Sequence, residues 1–187
     1  MRWNHPQALL TGVPAALLIA LALLMLPSRG VPRAIAAQAP SCTVGSWVTN
    51  DLQSLAQTFS AFDASITVSE LQGELRLTIA PDGAYTAEYT NVQFTASISG
   101  FTASGTLNGS ITGTYTDAGD GTVIGTVSDG NINFTISVLG LRTTQNVPVP
   151  AIEPTPTTYQ CSGDQLTIAL VAADPAAQAT ITLTRAG

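Results

Sequence analysis

Sixteen consecutive residues, Phe101 to Thr116, alternate between apolar or glycine and polar without one exception. The odd positions read Phe101, Ala103, Gly105, Leu107, Gly109, Ile111, Gly113 and Tyr115, while the even positions carry only Thr, Ser and Asn. A period of two belongs to a strand with one dry and one wet face. Much of the remaining chain obeys the same rule. Leu71, Gly73, Leu75, Leu77 and Ile79 face one way, with Gln72, Glu74, Arg76 and Thr78 opposite. Pro81-Asp82-Gly83 is a turn, proline presetting φ and glycine taking the positive-φ position. Tyr85, Ala87 and Tyr89 continue beyond it. The phase then passes to even positions at Val92, Phe94, Ala96 and Ile98, and a change of phase inside one run predicts a β-bulge or sharp bend.

Asp117 to Gly121 turns the chain, and Val123, Gly125 and Val127 return. Asp129-Gly130 reads as a tight hairpin leading to a strand with Ile132, Phe134, Ile136 and Val138. Residues 144–158 hold Pro148, Pro150, Pro154 and Pro156 and show no periodicity, so a long loop is expected. Two last strands run from Leu166 to Val171 and from Thr180 to Arg185, with Asp174-Pro175 between them. Helical spacing occurs once, at Leu52, Leu55, Ala56, Phe59 and Phe62, with Asn50 or Asp51 placed to cap it. The sum is an all-β chain: an antiparallel barrel of eight or nine strands with one short helix after the first strand. Closure is favoured over an open sandwich because the outward faces are Thr and Ser, without the lysines that guard exposed edges.

Composition sets the compartment. Arg2 precedes an Ala- and Leu-rich run from Ala8 to Leu26, and small residues end at Ala34-Ile35-Ala36. Charge, apolar run and Ala-x-Ala in that order form a secretory signal peptide over 1–36, leaving 37–187 as a single domain. An uncleaved anchor is the alternative, and either way the domain lies outside the cytoplasm, secreted or at the cell surface. Cleavage removes His5, the one histidine, and leaves Arg76, Arg142 and Arg185 against all twelve acids. Such a surface is soluble and monomeric and seeks neither nucleic acid nor anionic lipid. Cys42 and Cys161, an even pair in an oxidising compartment, are expected to form one disulfide. Lipidation of Cys42, the rival, has only the poor lipobox Ala39-Pro40-Ser41.

Cys42-Thr-Val-Gly45-Ser-Trp47 at one end and Ile181-Thr-Leu183-Thr-Arg185 at the other, the latter following Tyr159-Gln-Cys161, resemble the lipocalin-like (calycin) small secreted barrels, and bacterial members of unknown function most. The resemblance implies that Trp47 on the first strand and Arg185 on the last meet at the closed end of a barrel. Independently, Arg185 shares a strand face with Ile181 and Leu183, so its guanidinium needs an aromatic face or carbonyl partners. The Thr-Asp-Tyr signature of typical lipocalins is missing, and the helix follows the first strand instead of lying near the C-terminus.

Catalysis has little to work with. Past the leader there is no imidazole for a Ser-His or Cys-His pair, no lysine for a Schiff base, and no His or free thiolate for zinc or copper. Glu74 and Glu88 read as outward surface charge rather than a paired acid and base. Asp117, Asp120 and Asp129 beside glycines are ordinary turn chemistry rather than a calcium loop. Asn108 and Asn133 match the glycosylation pattern but fall mid-strand. The expectation is therefore a non-enzymatic protein with no cofactor, metal or catalytic residue.

Inward Gly105, Gly109 and Gly113 are the informative oddity, because glycine weakens a strand unless something approaches closely. Interleaved with large residues they outline a groove inside the barrel. Left open, that groove holds a small apolar ligand lined by Leu75, Leu77, Tyr85, Tyr89, Phe94, Phe101, Leu107, Ile111, Tyr115, Phe134 and Ile136. Filled by the helix or by facing side chains, it leaves a structural or surface-interaction domain that works through its Thr/Ser faces or its Pro-rich segment.

Overall fold

The computed structural model describes residues 42–56, 66–98, 100–119, 121–170 and 179–187. Nine antiparallel strands form one sheet: β1 (Gly45–Asp51), β2 (Ile66–Ile79), β3 (Ala84–Ile98), β4 (Phe101–Gly119), β5 (Thr122–Val138), β6 (Leu141–Pro148), β7 (Ile152–Ser162), β8 (Gln165–Leu170) and β9 (Ala179–Arg185). The order is β4-β3-β2-β1-β9-β8-β7-β5-β6, and a further β4–β5 pairing closes the ring. Helical backbone follows β1 at 53–56. The Nδ-less acid Asp51 caps it, its carboxylate accepting from the Gln53 amide at 3.2 Å. Phe59 and Phe62, the leader, and the Asp174-Pro175 break lie outside the described residues.

Among the described residues, closure is complete over one half of the cylinder only. β1 covers β2 from Ile79 down to Gln72, and β7 covers β5 from Thr122 to Val127. Below that level β2, β3, β4, β5 and β6 continue as a five-stranded sheet, with β6 on β5 from Asn131 to Val138. The expected bulge sits at this waist. Thr90 and Asn91 of β3 lie opposite the single Asn108 of β4, between the pairs Tyr89–Gly109 and Val92–Leu107. Asn91 takes φ 49°, and its amide is held by the Asn108 side chain at 2.7 Å. Across β2, Gly73 leaves room for this kink, since a Cβ there would meet the Val92 backbone at 2.5 Å.

Two expectations need correction. Asp129-Gly130 is not a hairpin: β5 runs straight through it. An extra residue, Ser128, shifts the register between Gly113–Val127 and Thr112–Asp129, so the inward phase passes from odd to even by a bulge. Nor are residues 144–158 a loop. β6 and β7 occupy them in one line beside β5, interrupted at 149–151. Among the described residues Pro148 and Pro156 each pair with β5 alone, an edge position where proline's missing N–H is tolerated.

One core fills the interior. It is built from the inward residues of the strands together with Leu52, Leu55 and Ala56 from the helical turn. Trp47, Ala56, Val123, Ile132 and Leu166 are fully shielded.

Candidate functional site

At the closed end, Arg185 lies 4.2 Å over the centre of the Trp47 ring. Its Nη1 and Nη2 donate to the carbonyls of Val44 and Cys42 at 3.2 and 3.3 Å. Trp47 Nε1 donates to the Thr43 carbonyl at 2.7 Å. Cys42 and Cys161 form a disulfide, with Cα atoms 6.2 Å apart. Arg185 thus has both the aromatic face and the carbonyls expected of it, but its side chain is 38% exposed rather than buried. The strand ends at this rim, so the guanidinium caps the core instead of entering it.

Three inward glycines of β4 explain the wall. Register places Phe94, Gly105 and Ile136 in one row, Tyr89, Gly109 and Ile132 in a second, and Tyr85, Gly113 and Val127 in a third. Each glycine lies between an aromatic of β3 and a branched residue of β5. A Cβ on Gly105 would run into the Thr135 carbonyl and the Phe94 ring, and one on Gly113 into the Thr126 carbonyl and the Tyr85 ring. Tyr85 also donates its hydroxyl to the Thr126 carbonyl at 3.1 Å. Burial pushes the phenols of Tyr85 and Tyr89 up from 10.0 to about 12.

Of the residues expected to line a lumenal site, Leu75, Phe94, Leu107, Ile111, Tyr115, Phe134 and Ile136 are buried in the core. Leu77, Tyr85 and Tyr89 pack against it, half-buried. Phe101 is the exception at 59% exposed. It follows the turn at Gly100 and projects past Ala103, the last buried residue at that end of β4, so alternation puts it on the inner face but beyond the core.

A cavity among the described residues opens on the outer face. A groove of about 350 Å3 crosses the five-stranded sheet below the waist. Pairing aligns Glu70, Thr95, Ser104, Ser137 and Arg142 in one row across β2, β3, β4, β5 and β6. Beside it run Gln72, Gln93, Thr106, Thr135 and Thr144. Four inter-strand steps of about 4.8 Å make each row roughly 19 Å long along the sheet. Elsewhere on the outer wall some polar side chains bond across strands: Thr114 to Thr126 at 2.6 Å, Asn146 to Asn133 at 3.0 Å, Thr167 to Thr182 at 3.5 Å. In the groove Thr135 is bonded to Thr144 at 3.0 Å, and Thr95 donates to Glu70 at 3.4 Å. The side chains of Gln72, Gln93, Ser104, Thr106, Ser137 and Arg142 have no partner among the described residues.

Glu74 and Glu88, the weighed acid–base pair, stand outside this groove. Arg76 donates to Glu74 at 3.1 Å, and Glu88 on β3 pairs directly opposite Arg76 on β2. Among the described residues no three of His, Cys, Asp and Glu come close enough to share a metal ion. No protein-family model, curated protein or solved structure matches the chain.

Proposed function

We propose that this chain is a secreted, non-enzymatic, monomeric β-barrel that binds a polar ligand on the outside of its wall, across β2 to β6. The carrying observation is the groove itself, in which the amides of Gln72 and Gln93, the hydroxyls of Ser104, Thr106 and Ser137 and the Arg142 guanidinium have no partner among the described residues. Polar groups held in fixed geometry with their hydrogen-bonding capacity unspent are what a polar ligand needs. Export is supported by the cystine and by the leader expected over 1–36. The Trp47–Arg185 stack supports reading the barrel as lipocalin-like. A lumenal apolar ligand is the weaker reading, because it would have to lift Phe94 and Tyr85 off Gly105 and Gly113.

Two titrations on the purified protein separate these readings. A fluorescent fatty acid is expected to show no saturable uptake. A panel of soluble glycans and peptides is expected to yield a binder whose affinity falls at least tenfold in the double variant Gln72→Ala, Gln93→Ala with the thermal transition unmoved. Saturable fatty-acid uptake, indifferent to that variant, would return the site to the lumen.

A further inference from the structure

We infer that the groove recognises a short hydroxyl-rich saccharide carrying a single carboxylate, the acid meeting Arg142 on β6 and the neutral rings lying toward Glu70 on β2. The inference rests on the groove being the binding site proposed above, and adds the class of ligand.

The cations make the first argument. Past the leader the chain has three arginines. Arg76 is bonded to Glu74. Arg185 is bound to the Trp47 face and two carbonyls. Arg142 alone has no such partner among the described residues, and it lines the groove. A guanidinium presents a planar fork of donors that a carboxylate fits bidentately, and phosphate recognition would call for a cluster of them.

At the other end of the same row stands Glu70, with one oxygen accepting from Thr95. Its second oxygen is an acceptor suited to a sugar hydroxyl, and its charge repels a second acid. With the acids far outnumbering the arginines, a polyanion is rejected at long range as well. Between the two charges lie Gln72, Gln93, Ser104, Thr106 and Ser137. Amides and hydroxyls both donate and accept, which matches the hydroxyls of a sugar. A peptide has less to hold. The backbone groups of β2 to β5 beneath the groove are consumed in the strand ladders, and Phe94 is the one large apolar side chain in its lining.

Calorimetry with a matched pair of tetrasaccharides tests this: one containing a single uronic acid, the other its carboxyl-reduced, neutral counterpart. The acidic sugar is expected to bind at least tenfold more tightly. Arg142→Gln should bring the two within about twofold of each other, chiefly by weakening the acidic sugar. Equal binding of the two sugars by the native protein, with loss in the Gln72→Ala, Gln93→Ala variant, overturns the carboxylate while leaving the groove as the site. Preference for a neutral hexapeptide with a free C-terminal carboxylate overturns the saccharide. Binding of none of these probes, or binding untouched by either variant, overturns the groove reading as well.

Discussion

A methyl group added to Gly113 would run into the Thr126 carbonyl and the Tyr85 ring. Gly125, on the neighbouring strand, has open space at the same position. The two alanine substitutions should therefore differ in sign of consequence as well as size. Gly113→Ala is expected to cost about 2–3 kcal/mol through overpacking against backbone that cannot yield. Gly125→Ala should stay within about 0.5 kcal/mol of native, or gain slightly from the lower entropy of the unfolded chain. Urea unfolding of both variants reads the difference directly. The tyrosines beside these glycines make a second prediction. Their phenols ionise near 12 when folded and near 10 when unfolded, so the unfolded chain gives up protons first as pH rises. The stability they contribute is full below about pH 10 and is lost between pH 10 and 12, on the order of 2–3 kcal/mol for each ring. Tyrosinate absorbance should lag behind free tyrosine through that window, and Tyr85→Phe should remove part of the dependence. A lag-free titration at both sites contradicts the packing of the rings.

At the level of elements, the two borders of the lower sheet differ. On β2, beyond the reach of β1, the Gln53 side chain stands in for a missing strand: its amide donates to the Ser69 carbonyl at 3.2 Å and its oxygen accepts from the Leu71 amide at 3.2 Å. β6, along the opposite border, pairs with β5 alone among the described strands. Gln53→Ala should cost about 1 kcal/mol and speed hydrogen exchange at Leu71 by about tenfold or more, because it leaves two backbone groups without their partner. Strand identity was readable from alternation wherever one face is buried, and the β3 bulge was readable from the phase change at Val92. The β5 bulge was hidden because Asp-Gly serves a hairpin and a bulge equally well, and only the partner strand decides. β6 escaped notice because it is exposed on both faces, so it carries no alternation to detect. The groove was hidden for a third reason. Glu70 and Arg142 are far apart in sequence and come into one row only through four successive registers, which no local pattern specifies. Trp47 and Arg185, by contrast, were matched from the motifs at the two chain ends.

For the molecule as a whole, the cystine closes a separation of 119 residues, nearly all of the folded chain. Replacing both cysteines by alanine is expected to lower stability by about 4 kcal/mol, chiefly by freeing the unfolded ensemble. The folded variant should retain the native far-ultraviolet spectrum, since the sheet closes through hydrogen bonds without help from sulfur. Denaturation of the native protein with and without reductant gives the same comparison.

The fastening of Cys42 carries a spatial consequence. Its sulfur is tied to Cys161 and its carbonyl to Arg185, so the polypeptide departs from the domain at a fixed point on one rim. Gly45, three residues on, pairs with Ile79, and Gln72 lies seven residues further down β2, roughly 23 Å along the wall. Were the preceding residues to moor the domain to a membrane, the same geometry would hold Arg142 and its neighbours on the distal half, turned toward whatever passes outside the cell.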